Sequence, residues 1–233
     1  MVEAMFNFTP QELDAIFLSL KVALLAVVVS LPFAIFIAWL LSRKQFWGKN
    51  LLNGIVHLPL VLPPVVIGYL LLVSMAKKGV IGQYLWQWFE FSFSFSWKGA
   101  VLASMVMAFP LMVRSIRLTL DAVDPKLEQA ARTLGASPLK VFFTLTLPLS
   151  YSGIIAGAVL GFARSLGEFG ATITFVSNIP NQTQTIPSAL FTFIETPGGE
   201  LAAARLCAVS IMISLIALFA SEWFAEKQKR LLN

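Results

Sequence analysis

Arg164 and Glu168 stand one helical turn apart in the stretch G-F-A-R-S-L-G-E-F-G-A-T-I-T-F, residues 161–175, whose other members are apolar or small. Opposite charges at i and i+4 can pair on a helix. Ionisable groups at membrane depth are costly, so each is a candidate for function. Gly157, Gly161, Ser165, Glu168 and Thr172 share one helical side. Two readings of that side compete. Small residues let helices approach while the ion pair neutralises itself. Alternatively, the side lines a passage or a contact between two copies, where the hydroxyls of Ser165, Thr172 and Thr174 would give a moving solute only weak ligands. His57 stands alone before Pro59, and Cys207 is the single cysteine. No Cys/His cluster has metal-ligand spacing and no nucleophile–base set appears, so neither a metal site nor a catalytic site is expected.

The clearest pattern lies at 124–148, D-P-K-L-E-Q-A-A-R-T-L-G-A-S-P-L-K-V-F-F-T-L-T-L-P. Asp124 can cap a helix that has Pro125 in its first position. Leu127, Ala130, Ala131 and Leu134 then fall on one apolar face. Gly135 can end that helix. Ser137 and Pro138 repeat the start signal, and Leu139, Phe142 and Phe143 give the next helix an apolar face. The spacing predicts two short amphipathic helices joined at Gly135. Shape alone is equally compatible with an ordinary loop lying on a membrane surface.

These segments need elements to hold them, and composition says which kind. Of 233 residues, 58% are hydrophobic and 12% are charged, against about 25% charged in soluble domains. Mean hydropathy is +0.80. The expectation is a single all-α integral membrane domain over residues 1–233, with about five transmembrane helices plus the short helices of the 124–148 loop. The spans read as about 16–41, 51–76, 99–120, one beginning near 147 and running past 163, and 201–220. Pro59, Pro63 and Pro64 should kink or locally unwind the second. A sixth short element around 186–194 would be a re-entrant piece. The net charge is +5 and the pI about 9.5. With no basic stripe and no recognition motif, that excess reads as cytoplasmic Lys and Arg rather than as a nucleic-acid surface.

Glu3, Glu12 and Asp14 precede the first span, and Arg43, Lys44 and Lys49 follow it. Lys227, Lys229 and Arg230 follow the last. An outside N-terminus and a cytoplasmic C-terminus fit five spans. The segment 77–98 runs against this map, with three lysines and one acid on the outer side. Its Tyr84, Trp86, Trp88 and Trp97 suit an aromatic belt at the outer interface.

The loop resembles the "EAA" loop of ABC importer permeases, with Ala130, Ala131, Gly135, Leu147 and Pro148 at matching spacing. Gln129 stands where that pattern has Glu, with Glu128 one place early, and Leu145 replaces Ile. Residues 161–175, the later N-I-P and T-Q-T-I-P, and the proline run L-P-L-V-L-P-P-V-V-I-G-Y at 58–69 are similar to the molybdate permeases. Sulfate permeases share the R-x-L-G-E part, so that piece alone does not discriminate.

The resemblance implies a transport subunit of a bacterial inner membrane with no catalytic site of its own. It implies a second copy of the chain, a cytoplasmic ABC ATPase dimer docked on the loop, and an external oxyanion-binding protein, all within membrane lipid. It also implies molybdate as cargo, with tungstate nearly isosteric. ATP and Mg belong to the ATPase, because this chain has no G-x-x-x-x-G-K-[ST] phosphate loop. The alternatives are a sulfate or thiosulfate permease of the same kind, and an ion-coupled secondary transporter using Arg164, Glu168 and Arg205 as a relay.

Overall fold

The computed structural model describes residues 7–232, with side chains omitted at 221 and 224–232. Glu3 and the side chains of Lys227, Lys229 and Arg230 lie outside the described residues. Among those described, the fold is all helix. Three helices are long and apolar enough to cross a membrane: α1 (Pro10–Arg43), α5 (Trp97–Ala122) and α12 (Glu200–Leu232), the last over Glu200–Ala220. Two bent pairs, Lys49–Val61 with Pro64–Met75 and Pro138–Leu149 with Tyr151–Leu166, bring the number to the expected five if each pair is one span.

Helix α1 starts earlier than hydropathy suggests, because Thr9 and Glu12 form a capping box with Pro10 in the first turn. The second span departs further from expectation. It is two helices, α2 (Lys49–Val61) and α3 (Pro64–Met75), bent by 113° rather than kinked. Pro63 and Pro64 withhold two consecutive N–H groups, so no helix can continue through them. The halves nevertheless traverse the bundle. Val56 of α2 packs with Ala34, Ala38 and Leu41 of α1 and with Ile116 and Leu120 of α5, all toward the 124–148 loop. Ile67 of α3 packs with Val22 and Ala26 of α1 and with Ala100 and Ala103 of α5, toward the opposite end.

The short α4 (Gly82–Phe89) carries part of the expected aromatic belt, and the loop helices α6 (Pro125–Thr133) and α7 (Pro138–Val141) follow α5. A π-helical turn, Phe142–Thr146, then leads into α8 (Leu147–Leu149). Pro148 has no N–H for the Thr144 carbonyl and its ring crowds that group, which accounts for the wider turn. The second loop helix is therefore one turn long, shorter than the apolar spacing predicts.

The fourth span begins with the 138–149 segment, bends by 68° into α9 (Tyr151–Leu166), and is followed after a break by α10 (Gly170–Val176). It extends past 163 because α10 packs against α3 and α5 through Ala171, Phe175 and Val176. The sixth element exists as α11 (Ile186–Glu195). It packs Ile186 and Ala189 against Ala15 of α1 and Leu206 of α12.

Candidate functional site

The loop forms as its sequence dictates. Asp124 accepts the Lys126 N–H at 2.9 Å and Ser137 accepts the Lys140 N–H at 3.3 Å. Gly135 has φ +89°, a region open to glycine and strained for other residues. Around it the Gly135 N–H bonds the Arg132 carbonyl at 2.9 Å and the Ala136 N–H bonds the Ala131 carbonyl at 3.1 Å. This double closure ends α6 sharply. Leu127 is 49% exposed and Leu134 is 89% exposed, Ala130 is exposed and Ala131 half-buried. The apolar face of α6 is thus largely uncovered by the other described residues.

The opposite side of α6 is fastened. Glu128 is buried and its Oε1 accepts from Arg43 Nε at 2.9 Å and from the Thr146 hydroxyl at 3.1 Å. Arg43 also donates to the Val123 carbonyl at 3.0 Å. Glu128 therefore joins three pieces: the end of α1, helix α6 and the turn before α8. Gln129, at the family's Glu position, is exposed. The sequence offered Glu128 as a shifted match. Its fold places that carboxylate in a bracket that ties α6 to α1 and to the turn before α8. Leu145 is half-buried and Leu147 half-buried beside it.

Arg164 and Glu168 do pair, Nη1 to Oε2 at 2.6 Å, with side-chain exposures of 27% and 1%. Glu168 has a second task. Its Oε1 accepts the Ala171 N–H at 2.7 Å, so it satisfies the first turn of α10 after the chain breaks at Gly167–Phe169. The break is tight on both sides. A Cβ on Gly170 would lie 2.8 Å from Pro64 Cβ, and one on Gly68 would lie 2.5 Å from the Ala171 carbonyl oxygen. The half-helices α3 and α10 are thus locked together by reciprocal glycines.

The remaining predicted residues are buried or half-buried within their own chain. Gly161 faces α5 and α1 of its own chain: a Cβ there would lie 2.7 Å from Met112 Sδ and 3.5 Å from Val27 Cγ2. Ser165 is buried on the same side, its hydroxyl without a hydrogen-bond partner among the described residues. The Thr172 hydroxyl turns back to the Phe169 carbonyl at 2.9 Å and Thr174 to Gly170 at 2.8 Å. The open stripe of α9 is the adjacent one, with Leu160, Ala163 and Gly167 exposed and Arg164 partly so.

Two features escaped sequence reasoning. Arg205 of α12 forms a two-pronged ion pair with Glu12, at 2.8 and 2.9 Å, with Glu12 fully buried. The T-P-Q-E cap at residues 9–12 was a readable signal for Glu12, but its partner 193 residues away was not. This pairing also removes Arg205 from any relay with Glu168. The second feature is Arg114 on α5, exposed and with no ion pair among the described residues.

Residues 30–230 match the family described as "Binding-protein-dependent transport system inner membrane component". A molybdenum transport system permease protein of Haemophilus influenzae is 65% identical over 222 residues, covering 95% of this chain and 97% of that one. A sulfate transport system permease protein of Salmonella typhimurium is 35% identical, over 90% of this chain and 75% of its own. Among solved structures, a bacterial ABC transporter involved in import of the acidic polysaccharide alginate superposes with a TM-score of 0.72. It does so at 16% identity, over 97% of this chain and 82% of that one, a likeness of fold.

Proposed function

The chain belongs to the binding-protein-dependent transport system inner membrane component family, and from that premise we propose that it moves molybdate into the cytoplasm as the permease of an ABC importer. The exposed apolar face of α6, backed by the Glu128–Arg43–Thr146 bracket, carries this reading. A face of Leu127, Ala130, Ala131 and Leu134 at the tip of a membrane bundle suits the groove of a soluble partner. The bracket gives a push on that face a path into α1 and α8. The partner in this reading is a cytoplasmic ATPase that holds the ATP and Mg, while the permease itself performs no catalysis. The loop end then faces the cytoplasm, together with the end of α12, and residue 7 lies outside.

Identity of 65% with a molybdenum permease against 35% with a sulfate permease supports molybdate over sulfate. An external binding protein would deliver the anion. Two copies of the chain would enclose the passage, since one chain of five crossings presents one loop and the ATPase dimer requires two. The open stripe of α9, Leu160, Ala163 and Gly167, suits that contact better than the internally packed Gly161 and Ser165.

A dianion crossing such a passage needs weak, transient attraction. Glu168 already neutralises Arg164. Arg114, with no such partner among the described residues, is then the cation available to meet the cargo on its way in.

Co-purification tests the assembly. Tagged permease should bring down one untagged permease copy and two ATPase subunits. Isolation of a lone, transport-competent chain would refute it.

A further inference from the structure

A groove of about 590 Å³ runs between the loop-end half of α1 and the segment after α6. Leu31, Ile35 and Trp39 form one wall, and Leu139, Phe142 and Phe143 form the other. The walls touch where Trp39 meets Phe142 edge-on, ring centroids 5.8 Å apart. Elsewhere they are open: Leu139 is 72% and Phe143 61% exposed. An apolar cleft of this depth beside a membrane span would be filled by hydrocarbon.

The rim carries charge. The Lys44 ammonium sits 5.6 Å from the Trp39 ring, and Lys140 is exposed next to Leu139. Neither has an ion-pair partner among the described residues, whereas nearby Arg43 is committed to Glu128. The fully exposed Trp47 and exposed Phe46 follow Lys44 in the chain. Such residues settle at headgroup level, which sets the rim at the interface and the groove just below it.

We propose that this groove binds an anionic phospholipid of the cytoplasmic leaflet, one acyl chain between α1 and the 138–147 segment and the headgroup phosphate on Lys44 and Lys140. Basic pockets between helices on the cytoplasmic side take anionic headgroups in this way. The site rests on the orientation given under Proposed function. Its consequence concerns coupling. The second wall is the part of the loop between the ATPase-docking helix and α8, so a seated lipid braces that wall against α1.

The test uses the permease–ATPase complex, extracted from vesicles containing equal phosphatidylglycerol and phosphatidylcholine and weighed by native mass spectrometry. Wild type should retain phosphatidylglycerol. The double variant Lys44→Gln/Lys140→Gln should lower its preference over phosphatidylcholine about thirtyfold, the factor that about 1 kcal/mol per lysine gives. Leu139→Trp, which fills the groove from an exposed position, should lower retention of both lipids. Lys49→Gln, a cytoplasmic lysine outside the groove, should change nothing. Unchanged phosphatidylglycerol retention in either the double variant or Leu139→Trp would overturn the proposal, as would loss of permease pairing in Leu139→Trp, which would mark the groove as a contact between copies. The mass measurement is independent of uptake, so a wrong cargo assignment would not disturb it.

Discussion

Removing Arg164 should cost more than removing Glu168, and removing both should cost least. In Arg164→Gln the Glu168 carboxylate, 1% exposed, keeps only the Ala171 N–H. A buried charge stranded in this way destabilises by about 3–5 kcal/mol. In Glu168→Gln the new amide oxygen can still accept the Ala171 N–H, and the freed guanidinium, 27% exposed, can turn outward. Loss of a charged hydrogen bond of that kind costs about 1.5–3 kcal/mol. The double variant keeps the cap of α10 and strands no charge, so it should fall within about 1 kcal/mol of wild type. The cycle then gives a coupling energy of several kcal/mol, well beyond the additivity error of about 0.5 kcal/mol. For a chain of this size the Arg164→Gln loss corresponds to a midpoint lowered by roughly 10 °C. Thermal unfolding of the detergent-purified complex, read by size exclusion, measures the stability, and uptake measures function beside it. Additive effects would refute the pair. So would an Arg164→Gln variant of normal stability whose lost uptake Glu168→Gln cannot restore, because then Arg164 contacts the anion itself.

Three other outcomes follow from the same geometry. Gly135→Pro cannot adopt φ +89°, and Ala131→Arg places charge on the open face of α6; each should leave the permease folded while abolishing substrate-stimulated ATP hydrolysis. Gly68→Ala drives a methyl group to 2.5 Å from the Ala171 carbonyl and should destabilise by about 1–3 kcal/mol, whereas Gly54→Ala, with no atom within 4 Å of the new Cβ, should be stable in the same melt. Arg114→Gln should lower uptake severalfold at unchanged stability, with Arg114→Lys recovering part of it; an unaffected Arg114→Gln transporter would remove that residue from the passage.

The loop was legible in the sequence almost residue by residue, because caps, prolines and the Gly135 stop are local signals. Asp124, Ser137 and Gly135 each do what their types and spacing require. The long apolar helices were legible from hydropathy, yet the shapes of the two bent pairs were not. Pro63 and Pro64 announce a break but not a 113° bend, since the angle depends on long-range packing such as that of Gly68 on Ala171. The break at Gly167–Phe169 was hidden because Arg164 and Glu168 satisfy the helical i, i+4 rule whether or not the helix continues. The helical wheel also grouped Gly161 and Ser165 with Glu168 correctly, but a single chain's periodicity cannot say whether that side meets a passage or its own α5. The contacts of Glu128 were hidden for a related reason: its partners, Arg43 and Thr146, come from other elements.

The central claim is that this chain carries molybdate inward under ATP hydrolysis by a partner docked on α6. It is tested most directly by uptake of labelled molybdate into vesicles holding the reconstituted complex, with its binding protein outside and ATP inside. The account predicts ATP-dependent accumulation of molybdate, little of sulfate, and none of either with Ala131→Arg. Accumulation without ATP, or driven by an imposed proton or sodium gradient, would contradict it.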